Sequence, residues 1–272
     1  MFRIPVGNLF EQVVEWLSEN ATIIFDVISA IIDFFVVNIQ NLLFVVHPVA
    51  IIIILAALAW YLAGRGVAIF TIAGFLMIMG MDLWTQTIET LSMILTSGIV
   101  ALSVGVLMGI LAARNDYVDR IIRPVLDFMQ TMPSFVYLIP AVIFFGMEMV
   151  PGVIATVIFS MPPAIRLTNL GIRQVDKEVI EAARAFGSTP KQILFKVQLP
   201  LAVPTIMAGI NQTIMLSLSM VVIASMIGAG GLGGIVLRGI TQLKIGLGFE
   251  GGLAVVILAI FLDRLTQSLK EL

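Results

Sequence analysis

The residues best suited to do chemistry form one run, Glu181-Ala182-Ala183-Arg184-Ala185-Phe186-Gly187, with Val197-Gln198-Leu199-Pro200 following it. Glu181 and Arg184 can make charge-assisted hydrogen bonds to a partner, and Ala182 and Ala183 leave room for its close approach. Gly187 reads as the residue just past a helix end, and a second short segment begins near Pro190 and stops at Pro200. The chemistry implied is docking rather than bond breaking. No HExxH, GxSxG or carboxylate pair points to an enzyme. The chain has no cysteine, which excludes disulfides, thiolate-bound zinc, iron–sulfur clusters and a cysteine nucleophile. Its one histidine, His47, stands beside Pro48 and reads as a helix-entry residue. Gly228-Ala229-Gly230-Gly231-Leu232-Gly233 matches the dinucleotide fingerprint by letter, but that motif works only between a strand and a helix of a soluble βαβ unit. Here it ends an apolar helix, so the glycines are read as a tight turn or close backbone packing.

The elements that position this run belong to a membrane protein. The 272 residues are 60% hydrophobic and 12% charged, with mean hydropathy +1.10, far from the usage of soluble domains. No basic face with interleaved aromatics suggests nucleic acid as a partner, and no basic n-region with a cleavage site marks a removed signal peptide. A crossing of a hydrocarbon core of about 30 Å takes roughly 20 helical residues. Runs of that kind fall near 43–63, 66–84, 87–113, 134–150, 151–169, 200–227 and 246–264. The expected fold is an all-α polytopic membrane protein with about seven transmembrane helices. The fourth and fifth runs are short and hold Pro140, Pro162 and Pro163, so a bent or re-entrant path is open there. Trp60 and Trp84 fall at span ends as interface anchors, and Gly105 with Gly109, like Gly248 with Gly252, form small-xxx-small pairs for close helix packing.

Lys and Arg set the orientation. The loop 170–199 holds Arg173, Lys177, Arg184, Lys191 and Lys196, and the loop 114–133 holds Arg114, Arg120 and Arg123, which puts both in the cytoplasm. An odd span count then puts the C-terminus, with Arg264 and Lys270, inside and the N-terminus outside; Arg238 and Lys244 in the loop 228–245 run against that rule.

Residues 8–37 carry apolar positions at helical spacing and an opposite stripe of Glu11, Glu15, Glu19, Asp26 and Asp33. They read as one or two amphipathic helices, lying in the interface plane on the outer surface or packed on protein. The expected organisation is an amphipathic segment at 1–41, two peripheral spans at 42–84 and a core at 85–272. Asp82, Glu89, Glu148, Glu250 and Asp263 all fall near span ends, unlike the midplane carboxylates of ion-coupled transporters. In the sixth run Asn211, Gln212, Ser217 and Ser219 either line a passage or hydrogen-bond neighbouring helices.

Taken with its spacing, the stretch from Glu181 to Pro200 resembles the EAA loop of ABC importer permeases, with Val197 where isoleucine is usual. The resemblance extends over roughly 85–265. Met129-Gln130-Thr131-Met132-Pro133-Ser134-Phe135-Val136-Tyr137-Leu138-Ile139-Pro140 and Ala208-Gly209-Ile210-Asn211-Gln212 are similar to permeases of bacterial glycine betaine importers. It implies a five-helix permease core whose coupling residues are Glu181, Ala182, Ala183, Arg184, Gly187, Leu199 and Pro200. It also implies two ATPase subunits, a second permease copy and an external binding protein as partners, no cofactor on this chain, and a place in the bacterial cytoplasmic membrane. Choline, carnitine and other osmolytes are rival solutes, and a secondary transporter is the rival class.

Overall fold

The computed structural model describes residues 5–268; Lys270 lies outside them. The described residues form helices and turns only. In chain order the helices are α1 (Val6–Asn20), α2 (Thr22–Val45), α3 (Pro48–Ala63), α4 (Arg65–Gly80), α5 (Trp84–Arg114), α6 (Asp116–Thr131) and α7 (Leu138–Phe145). They continue as α8 (Met149–Ser160), α9 (Pro162–Arg173), α10 (Lys177–Ala185), α11 (Pro190–Ile193), α12 (Leu199–Ala224), α13 (Gly231–Thr241) and α14 (Ile245–Ser268).

By length and apolarity, α2, α5, the α8–α9 pair, the stretch Pro190–Ile227 containing α12, and α14 can each cross a membrane. This set differs from the seven runs expected. The runs at 43–63 and 66–84 become α3 and α4, whose 16 residues each reach only about 24 Å. Residues 134–150 yield a 3₁₀ turn, Ser134–Tyr137, and the 8-residue α7, which Gly146 ends at φ 80. With α6 this segment turns through 109°, so it is a broken span or a re-entrant hairpin rather than a straight crossing. The loop expected at 114–133 is itself helical, because Asn115 caps α6 by accepting from the Tyr117 amide at 2.9 Å.

The N-terminal segment breaks at Ala21 into two helices, as its φ of −115 and ψ of 14 require. The acids Glu11, Glu15 and Glu19 stay on α1, while α2 keeps only Asp26 and Asp33 and so becomes apolar enough to cross. It runs past the expected boundary at residue 41 to Val45. Ile32 and Val36 are buried against the core, Phe25 stacks on Phe144 at 4.4 Å, and Asp26, Ser29 and Asp33 border a cavity beside the α7–α8 loop.

Small residues bring the central helices together. Gly105 and Gly109 of α5 face Ala164 and Thr168 of α9, and a Cβ on Gly109 would lie 2.6 Å from that of Thr168. Gly209 of α12 meets Pro163 and Leu167, and Gly171 of α9 meets Ala202 and Thr205. Lipid supplies no hydrophobic drive between helices, so this backbone approach is what permits dispersion contact and interhelical bonding. On the other flank, the Phe75 and Phe261 rings, 5.2 Å apart, lock α4 to α14.

Candidate coupling element and polar grooves

The helix α10 is built to keep its shape in solvent. Glu178 sits in its first turn and Arg184 in its last, each favourable to the helix dipole. At the far end Gly187 takes φ 79; its amide donates to the Arg184 carbonyl at 2.9 Å, and the Ser188 amide donates to the Ala183 carbonyl at 3.0 Å. That pair of bonds is a Schellman closure, which needs the left-handed residue that glycine supplies. The chain restarts at once: Thr189 and Gln192 form a reciprocal capping box around Pro190, and a π turn, Leu194–Gln198, leads into α12.

No residue of α10 is buried. Glu181, Ala182, Arg184 and Gly187 are exposed, Ala183 is half-buried, and Phe186 is 91% exposed. Val179, Ala182 and Phe186 share one face at helical spacing, an apolar stripe that no other part of the described chain covers. Arg184 borders a cavity of 200 Å³ with Arg114, Pro190 and Gln198, so it also faces back toward the bundle. Leu199 packs beside the buried cluster of Ile172, Leu194 and Ala202, whereas Pro200 is exposed. The run singled out in the sequence is therefore brought together around one helix–turn–helix, with Leu199 as its foot.

The polar residues of α12 divide. Ser217 is fully buried; its hydroxyl lies 3.0 Å from that of Ser160 and donates to the Thr213 carbonyl at 2.9 Å. Asn211, half-buried, donates to the Asp263 carboxylate at 3.3 Å and accepts from the Thr266 hydroxyl, tying α12 to α14. Gln212 and Ser219, two turns apart, are exposed on one face.

A second polar array escaped the sequence reading. Along α6 and α9, which run antiparallel, Arg173 bonds Asp116 at 2.7 Å, Asn169 bonds Asp119 at 2.7 Å, and Arg166 bonds Asp127 at 2.6 Å. Asp119 also holds Arg123 at 2.7 Å, and its side chain is only 8% exposed. Between the helices lies a groove of 530 Å³ with Ile122, Leu126, Ile165 and Leu170 among its walls. Its one sequence signal was Arg166, a charge inside an apolar run.

The fingerprint-like glycines have a structural task. The Gly231 amide opens α13 by donating to the Glu89 carboxylate of α5 at 2.9 Å, and the Leu232 amide donates to the Thr90 hydroxyl at 2.8 Å. His47 begins α3, its Nδ1 accepting from the Val49 amide at 3.4 Å.

Comparison with known proteins gives this geometry a context. The chain is 52% identical over 268 residues to the glycine betaine transport system permease protein OpuAB of Bacillus subtilis (strain 168), covering 98% of this chain and 95% of that one. It is 48% identical over 265 residues to the glycine betaine/proline betaine transport system permease protein ProW of Escherichia coli (strain K12), covering 97% and 75%. The choline transport system permease protein OpuBB of Bacillus subtilis (strain 168) is 33% identical over 192 residues, 71% of this chain and 88% of that one. In fold it is similar to a chain of the MetNI methionine ABC transporter in an inward-facing conformation, with TM-score 0.64 and 22% identity over 71% of this chain and 96% of that one. Residues 105–271 match the family described as binding-protein-dependent transport system inner membrane component. With that match over most of its length and near-full-length relatives at about half identity, the chain belongs to this family of multi-pass inner-membrane permeases.

Proposed function

We propose that the chain is the membrane half of an ATP-driven importer for a quaternary-ammonium compatible solute, glycine betaine or proline betaine, in osmoprotection. The solute class rests on the gradation among relatives: permeases named for glycine betaine reach 52% and 48% identity, and one named for choline 33%. The single observation that carries the coupling half is the uncovered stripe of Val179, Ala182 and Phe186 along α10, a helix with no buried residue that is closed at its far end by Gly187. Exposed apolar surface of this kind marks an interaction site.

In this reading α10 inserts into a groove on the ATPase. Phe186 is the anchor, Glu181 and Arg184 form the polar rim, Gly187 sets the turn, and Leu199 and Pro200 transmit the movement into α12. Two ATPases serve two copies of this chain, and an extracellular binding protein delivers the solute. The chain hydrolyses nothing itself. The helix α1 lies on the outer face and meets lipid there; α2, long and apolar enough to cross, is peripheral with α3 and α4, the core follows, and the C-terminus is cytoplasmic. Gln212 and Ser219 face the passage, while Asn211 and Ser217 brace α12 from behind.

The energetics suit ATP. A betaine carries no net charge, so the membrane potential does no net work on it, and a thousandfold gradient costs about 4 kcal/mol from another source. The test is uptake by the permease–ATPase–binding-protein complex in vesicles loaded with ATP. Accumulation of labelled glycine betaine, competed by proline betaine and weakly by choline, is the expected result. Choline accumulating in preference would reassign the solute.

A further inference from the structure

The α6–α9 array combines features that a purely structural ladder does not need. Asp119 is buried and fully engaged, bonding Arg123 and Asn169 and lying 3.8 Å from Arg173. The Asp127–Arg166 pair is different. It rests on one bond of 2.6 Å, and its side chains are 68% and 39% exposed. A guanidinium has five donor positions and a carboxylate about four acceptor sites, so both groups keep free capacity facing the 530 Å³ groove. Arg166 also lies two turns before Arg173 on α9, roughly 10 Å from that end. A charge inside a stretch long and apolar enough to cross a membrane, as Met149–Arg173 is, is expensive unless it faces a wet cavity, and such charges characteristically mark a solute path.

Three carboxylates, Asp116, Asp119 and Asp127, are set against three guanidiniums, Arg123, Arg166 and Arg173, so the array is neutral overall but strongly dipolar. A lone cation or anion gains little from such a surface. A zwitterion matches it at both ends. The groove holds no aromatic residue to cage an ammonium, so binding there is weak and the solute can leave.

Building on the solute class proposed above, we infer that Asp127 and Arg166 form a transient site on the import path for a small zwitterion bearing a carboxylate and a quaternary ammonium. Arg166 exchanges Asp127 for the solute carboxylate, and the freed Asp127 carboxylate faces the ammonium; the two side chains re-pair when the solute departs. No bond is made or broken.

The experiment uses the reconstituted permease–ATPase–binding-protein complex. Arg166→Gln and Asp127→Asn each lower glycine betaine uptake at least tenfold. The double exchange Asp127→Arg with Arg166→Asp rebuilds the ion pair but reverses its polarity along the groove, and uptake stays low. A structural pair would instead be rescued by the exchange. Independently, Leu170→Cys in this cysteine-free chain places a thiol on the groove wall, and millimolar glycine betaine slows its reaction with a water-soluble maleimide whereas equal choline does not. Uptake within twofold of wild type in either single variant, rescue by the exchange, or absence of protection at Cys-substituted Leu170 would each overturn the site. Wild-type uptake in the same vesicles reports separately on the solute class: if glycine betaine is not carried at all, that reading fails first.

Discussion

The backbone amide of Gly231 donates to the carboxylate of Glu89 at 2.9 Å, joining the first turn of α13 to α5 across 142 positions of sequence. The bond places a negative group at a helix N-terminus, where both the free amides and the dipole favour it. Glu89→Ala should lower the stability of the purified complex by about 1 kcal/mol, the usual worth of a lost cap, read as a fall in its thermal midpoint. Gly231→Ala should cost more. Gly231 has φ 65, and an added Cβ would lie 2.5 Å from the Thr90 hydroxyl oxygen.

Gly187→Val tests the turn after α10. A β-branched residue is a genuine outlier in the left-handed region and costs about 1–2 kcal/mol there, so the Schellman closure should open. The expected outcome is normal membrane insertion with transport abolished, measured by membrane fractionation alongside uptake.

Phe186→Asp tests the anchor separately from the fold. The ring is 91% exposed, so its loss costs this chain little stability, yet co-purification with the ATPase should fall by tenfold or more. Unchanged co-purification would remove Phe186 from the docking face.

Ser217→Ala separates bracing from passage. Its hydroxyl is buried against Ser160, and interhelical bonds of this kind are worth about 0.6 kcal/mol. A small drop in thermal midpoint with uptake within twofold of wild type is expected. A selective rise in KM for the solute would instead return Ser217 to the passage.

Local features of α10 and the turn that follows it were readable in the sequence because they depend on near neighbours. Gly187 closes on Ala183 and Arg184, and Pro190 starts a turn whose capping residues, Thr189 and Gln192, are three apart. The small-residue pair Gly105 and Gly109 was readable for a related reason, since a helix repeats its face every three to four residues. What sequence pattern could not supply were pairings across the bundle. Asp127 meets Arg166 across 39 positions and Asp116 meets Arg173 across 57, and periodicity carries no information at such separations. Residues 114–133 were read for their positive charge, and that hid a strongly amphipathic helix whose acids face α9. The four polar candidates on α12 share a helix but not a face, so proximity in sequence overstated their common role. Gly239 illustrates the same limit: it packs directly on Gly248.

Orientation is open to direct labelling, because the chain has no native cysteine. Lys191→Cys and Leu243→Cys each place a thiol at an exposed position. An impermeant maleimide should reach Lys191→Cys only from the cytoplasmic side and Leu243→Cys only from outside. Labelling of both from one side would overturn the crossing pattern between them.

The central claim is that solute import through this chain is driven by ATP hydrolysis on a partner and transmitted through α10. The most direct measurement follows labelled glycine betaine uptake into vesicles holding the full complex, with ATP supplied or withheld and ion gradients collapsed by ionophores. Wild type should accumulate solute only with ATP and regardless of ionophore, and Glu181→Lys should accumulate none while remaining inserted. Uptake that persists without ATP and disappears when the ion gradients are collapsed would contradict the account.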